Sequence, residues 1–97
     1  MSTLRSLTSA DFEALLNRTF AVRSEPEDVY LSLIEVKVMG SGERAGGAFS
    51  TLWQGPKSPF LEQAIYSLSE EEFGEQEVFL VPVAEKDAGI QYEAVFT

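Results

Sequence analysis

Three glutamates, Glu35, Glu77 and Glu93, fall inside segments whose apolar residues alternate in the manner of β-strands. Two carboxylates held on neighbouring strands can share acid and base roles and hydrolyse a glycosidic bond. The composition leaves little other hydrolytic chemistry open. The chain contains no histidine and no cysteine, so the common general base at neutral pH and the thiolate nucleophile are both missing. A serine paired with Lys37, Lys57 or Lys86 would be the remaining nucleophile, and no catalytic motif pairs them. Strand glutamates are usually the solvent-facing members of an alternating pattern. The expectation is a non-enzyme with no catalytic residue.

Cofactor and metal chemistry fare similarly. Gly40-Ser41-Gly42-Glu43-Arg44-Ala45 fits the dinucleotide fingerprint, and Glu62 follows at the distance of a ribose-binding acid. The fingerprint needs a helix directly after its glycines, because the helix N-terminus takes the pyrophosphate. Gly46-Gly47 occupies that first turn and a strand-like run follows, so a hairpin loop is the better reading and no cofactor is expected. Glu70-Glu71-Glu72 with Glu75 and Glu77 is acidic enough to attract calcium, but lacks the spaced ligands and central glycine of a calcium loop. Without imidazole or thiolate there is no transition-metal set. The metal expectation is none.

Binding is better served. Trp53, Pro56, Pro59 and Phe60 lie in or beside a rigid turn, a frequent setting for interaction surfaces, and Glu70, Glu71 and Glu72 add an acidic patch. These seven residues are the candidate interaction surface. The same aromatic residues are also what any small β core contains. A small-molecule site, or a weak carboxylate hydrolase, would instead use a barrel mouth lined by Trp53, Tyr66, Tyr92 and a glutamate.

Thr8 and Asp11 have the spacing of a capping box, and Leu7 and Phe12 that of a hydrophobic staple. Phe12, Leu15 and Leu16 share a face, predicting a helix over 9–18. The period then changes to two, with strands expected at 19–23, 29–39, 48–54, 64–69, 75–83 and 90–97. In the longest, Val29, Leu31 and Leu33 alternate on one phase and Ile34, Val36 and Val38 on the other. Such a slip marks a bulge, which bends the strand and lets it serve two sides of a core. The alternative is a strand buried on both faces. Together these predict a mainly β fold, a small antiparallel barrel or roll of about six strands with a short N-terminal α-helix. A final strand with inward aromatics should pair within the sheet.

With 97 residues, 44% of them hydrophobic, the chain suits one domain over 1–97 with a single core. Residues 58–97 hold one basic side chain, Lys86, and nine acidic ones, a net −8, against −1 for residues 1–57. Phosphate backbones and anionic lipids are repelled by such a surface, so neither nucleic acid nor membrane is an expected partner. A charged protein partner would be basic, unless the acids serve solubility alone. No signal peptide or membrane-spanning run is present, and cysteine is absent, so the expected location is cytoplasmic.

Several segments resemble a small uncharacterised bacterial family, a domain of unknown function. Leu7-Thr8-Ser9-Ala10-Asp11-Phe12 is similar to its opening L-T-x-x-D-F. Phe49-Ser50-Thr51-Leu52-Trp53-Gln54-Gly55-Pro56 is similar to F-S-L-x-F-x-G-P, and Gln63-Ala64-Ile65-Tyr66-Ser67-Leu68 to Q-G-x-Y-x-L. Val78-Phe79-Leu80-Val81-Pro82-Val83 and Tyr92-Glu93-Ala94-Val95-Phe96 resemble F-L-V-P-V and Y-E-A-V-F. Ala64 departs from the favoured Gly, and Ser69-Glu70 from an acid–His pair. The resemblance brings no activity and no catalytic residues. It implies an accessory or assembly role beside tail-fibre-like proteins. The leading expectation is a non-catalytic protein-interaction module, with a homo-oligomeric structural subunit as the alternative.

Overall fold

The computed structural model of the chain describes residues 8–25, 27–40 and 48–96. One short helix, α1 (Ser9–Glu13), precedes six strands: β1 (Thr19–Val22), β2 (Val29–Gly40), β3 (Ala48–Gln54), β4 (Ala64–Glu70), β5 (Gly74–Lys86) and β6 (Gly89–Phe96). All neighbours are antiparallel, and the strands close into a barrel in the order β1-β2-β3-β6-β5-β4. The barrel is shut by the short β1–β4 ladder, Ala21 opposite Ser69 and Val22 opposite Leu68. β6 therefore has a neighbour on each side, β3 and β5.

The two long strands turn the corners of the barrel. β2 pairs with β1 through Val29–Ser32 and then with β3 as far as Gly40. The register shifts between Leu33 and Glu35, where the hydrophobic phase slips in the sequence. Only Val36 of the second phase packs on the core, while Ile34 and Val38 are exposed. The strand thus bends without burying a second full face. β5 behaves in the same way, pairing with β4 up to Leu80 and with β6 from Val81. It runs on past Val83, where the sequence pattern stops, and pairs with β6 as far as Lys86 across a register shift between Pro82 and Ala84. A bulge is where a proline, which has no N–H for the ladder, is tolerated within a strand.

The helix is shorter than the predicted 9–18. Its capping box is formed, with Asp11 Oδ2 accepting from the Thr8 N–H at 2.9 Å and Thr8 Oγ1 accepting from the Asp11 N–H at 3.4 Å. Beyond Glu13 the chain continues in tight turns, Leu15 N–H to Phe12 O and Arg18 N–H to Leu15 O. It reverses at Asn17, which sits at φ 70°, a left-handed conformation that asparagine tolerates better than most residues. The Asn17 N–H then bonds Leu33 O, and the Leu33 N–H bonds Arg18 O. Entry into β1 therefore ends the helix early. Phe12 and Leu15 are buried, whereas Leu16 is exposed. The staple residue Leu7, the Pro26 turn, the glycine loop 41–47 and Thr97 lie outside the described residues. The pairing of Gly40 with Ala48 nevertheless makes β2 and β3 a hairpin.

Inward-facing residues fill the barrel. Phe12 enters from one end, 5.7 Å from Phe49, 6.3 Å from Trp53, 5.5 Å from Phe73 and 5.3 Å from Phe96 between ring centroids. Phe20 meets Trp53 edge-on at 4.7 Å. Leu31, Leu33, Leu68, Leu80 and Tyr92 complete the interior.

Candidate functional site

Trp53 lies inside the barrel, with none of its surface exposed. It alternates with Phe49 and Thr51 on the inward phase of β3, and its Nε1 donates to Thr51 Oγ1 at 2.8 Å. That hydroxyl in turn donates to Ala94 O at 3.4 Å. Trp53 is thus a core residue with its one polar atom satisfied, and it leaves the candidate interaction surface. The barrel-mouth site fails for the same reason. Tyr92 is also fully buried, its hydroxyl accepting the Leu61 N–H at 2.9 Å. Tyr66 is half-buried and donates to Glu62 O at 2.7 Å; burial, with the Glu62 charge adding to it, raises its pKa. Trp53 and Tyr92 have no free surface with which to line a mouth.

The acidic triplet divides. Glu71 and Glu72 are exposed, but the Glu70 side chain keeps only 6% of its surface in water. Its Oε1 accepts the backbone N–H groups of Glu72 and Phe73 at 2.7 and 2.8 Å, tying the β4–β5 turn. Its Oε2 accepts from Arg18 Nη1 at 2.8 Å, joining that turn to the segment after the helix. Burial pushes the Glu70 carboxyl up, but the Phe73 N–H, Arg18 and the Glu72 N–H outweigh it and hold the pKa below the ordinary value. Glu70 is a structural clamp rather than part of an open anionic patch.

The three strand glutamates all lie on the outer wall of the barrel. Glu35 and Glu93 each stand opposite Leu52 in register, on the outside of the wall. Two strand spacings separate them, about 10 Å of backbone. Glu77, also outside, stands opposite Ser67 on β4. Among the described residues, no group of three or more His, Cys, Asp or Glu could hold a metal ion.

The remaining candidates, Pro56, Pro59 and Phe60, lie at the other end of the barrel from Glu70–Glu72. They belong to the 55–63 crossover, which passes over the barrel end because β3 and β4 are not neighbours in the ring. The crossover is held down by Leu61, which is buried, and by the Gly55 N–H bonding Ile90 O at 2.8 Å. Gln54 Nε2 donates to Gly55 O at 3.0 Å, and Gln91 Nε2 donates to Gln54 Oε1 at 3.1 Å. Backbones approach so closely that a Cβ on Gly89, at φ +138°, would lie 2.0 Å from Gly55 O.

On this platform sits a cleft of about 520 Å³, lined by Pro56, Ser58 and Pro59 from the crossover and by Glu27, Asp28 and Tyr30 from the β1–β2 connection and β2. Tyr30 is 60% exposed. Sequence reasoning missed Glu27, Asp28 and Tyr30. A signal was available: Tyr30 falls on the phase opposite to Val29, Leu31 and Leu33, so it must face outward, two residues after the acidic pair Glu27-Asp28. An exposed phenol ring, two prolines and two carboxylates suit a cationic group of a partner, by charge and by cation–π contact.

A helix-capped, six-stranded antiparallel barrel with a filled interior and its recognisable surface chemistry on the outside defines the class: a small closed β-barrel domain. The chain belongs to the family described as a domain of unknown function (DUF6916), whose model matches residues 7–96. No curated protein and no solved structure matches it. No helix among the described residues is long and apolar enough to cross a membrane.

Proposed function

We propose that this chain is a non-catalytic protein-interaction module, an accessory or assembly component that recognises a basic partner at the crossover end of its barrel. The observation that supports this reading most is the filled interior. Trp53 and Tyr92 have no exposed surface, and helix and crossover occupy the two barrel ends, so a ligand must be met on the outside. There, the crossover cleft joins Tyr30, Pro56 and Pro59 to Glu27 and Asp28 on a rigid floor. A rigid platform lowers the ordering cost of binding. Tail-fibre-like proteins, implied by the family resemblance, are the assembly in which to seek the partner. The test is chemical cross-linking and capture from native lysate with the parent protein and with a Tyr30→Ser, Glu27→Lys double variant. The reading expects a defined basic partner held by the parent and released by the variant. Capture of nothing, or identical capture by both, sinks it.

A further inference from the structure

β5 is apolar on both of its phases between Val78 and Val83. Val78 and Leu80 point inward and are buried, while Phe79 and Val83 are each 48% exposed on the outer wall. Phe79 stands directly opposite Ile65 of β4, which is 65% exposed. Scattered single apolar residues on a surface need no explanation, but here a cross-strand pair is followed by partly exposed Val81 and exposed Val83, an apolar strip that ends where β5 shifts register.

The same wall changes character one step further along. Ser67 stands opposite Glu77, and its hydroxyl donates to Glu75 Oε2 at 2.6 Å. With Gln76 these residues line a cleft of about 570 Å³. Ile65 and Ser67 are two residues apart on one strand, so the apolar strip and the acidic cleft are offset by about 7 Å.

We propose that the outer face of β4 and β5 docks an extended polypeptide segment carrying an apolar side chain and a lysine or arginine two residues apart. An extended segment presents residues i and i+2 on one face at this same spacing. Charge selects the occupant. Residues 58–97 hold nine acidic side chains and only Lys86 as a base, and the whole chain carries −9, so a second copy would bring net like charge to this face. Nucleic acid and anionic lipid meet the same repulsion, whereas a basic segment is attracted and its apolar residue covers Ile65 and Phe79. This surface shares no residue with the crossover cleft, so it extends the proposed function to a second site, and the two readings fail separately.

The probe is a fluorescein-labelled peptide of about twelve residues repeating Val-Thr-Lys-Thr, compared with Val-Thr-Glu-Thr and Ser-Thr-Lys-Thr repeats, read by anisotropy at low salt. The Val/Lys peptide should bind and both controls should be weaker. Ile65→Ser with Phe79→Ser, and separately Glu75→Gln with Glu77→Gln, should each weaken binding by about tenfold or more, as should raised salt for the charge-driven part. Val38→Ser, at an exposed position on β2 outside both clefts, should leave it unchanged. In the parent protein, the peptide should move amide resonances of residues 64–70 and 74–83, a measurement that needs no variant to fold. The proposal is overturned by equal binding of the Val/Glu peptide, by unaltered affinity in the wall variants, or by amide shifts confined to the crossover end. Light scattering that shows a dimer dispersed by Ile65→Ser would overturn it too, by making the occupant a second copy.

Discussion

The two ends of this barrel are closed by different physics. At the helix end, Phe12 is driven among Phe49, Trp53, Phe73 and Phe96, with ring centroids 5.3–6.3 Å apart. That closure is apolar burial helped by tilted and edge-on ring geometry. At the crossover end, the seal is mostly backbone: Gly55 bonded to Ile90 O, the Leu61 N–H on the Tyr92 hydroxyl, and Gly89 pressed against Gly55 and Pro56. Only Leu61 among the crossover side chains is buried as core. A seal made of side chains uses them up. A seal made of backbone leaves Pro56, Pro59 and Phe60 outside.

Removing the apolar plug should have the largest effect. Phe12→Ala leaves a ring-sized cavity among four aromatic side chains and should cost about 3–5 kcal/mol, read from urea unfolding. A loss under about 1 kcal/mol would mean the helix covers the barrel without supporting it, and the contrast between the ends would collapse. At the other end the matching variant is Gly89→Ala. Its Cβ would meet Gly55 O and two Pro56 backbone atoms, in a conformation L-residues rarely adopt. Backbone cannot swing aside as a side chain can, so roughly 2–4 kcal/mol is expected. Gly74 provides the control: it also has positive φ, +81°, but nothing lies within 4 Å of its added Cβ. Gly74→Ala should cost only about 1 kcal/mol, the conformational part alone. Equal losses at Gly74 and Gly89 would show that close approach contributes nothing to the crossover seal.

Tyr92→Phe tests the polar part of that seal with the ring kept in place. The buried Leu61 N–H would lose its acceptor, at a cost of about 1–2 kcal/mol. Amide exchange at Leu61 should quicken with it. If exchange there is unchanged while stability falls, the hydroxyl supports the core by some route other than the crossover.

These unequal seals also decide what was legible in the sequence. The helix end could be read, because Thr8, Asp11 and Phe12 announce a capped helix with an apolar face, and periodicity tracks side-chain burial. The bend in β2 could be read for the same reason, from the slip between Leu33 and Ile34. The crossover end could not, since backbone approach at Gly55 and Gly89 leaves no periodic trace. Alternation shows which residues share a face, but which face is inward depends on how the sheet closes, and closure runs through β1–β4, a pair 42 or more residues apart in the chain. Trp53 keeps phase with Phe49, but alternation alone leaves it equally suited to the core and to an interaction surface. Glu70 looked the same as Glu71 and Glu72, because only the fold brings Arg18 to it.

The smallest expected effect concerns that last contact, which ties the β4–β5 turn to the helix end without packing. Arg18→Ala removes the partner of Glu70 Oε2 but leaves both backbone N–H groups on Oε1. Arg18 is exposed, and its bond to Glu70 and weaker approach to Glu72 at 3.6 Å are open to screening. The loss should therefore be less than for Tyr92→Phe and should shrink further in high salt. Its pH dependence gives the sharper measurement. Glu70 has a folded pKa below the ordinary 4.5, so its stabilisation is complete above that value and is lost as pH falls through the lower folded pKa. The difference in unfolding midpoint between parent and Arg18→Ala should be constant near neutrality and close progressively as pH drops below about 4.5. A difference that persists unchanged in acid would mean that Arg18 stabilises the helix end through its stem packing, and that both barrel ends rely on contacts without charge.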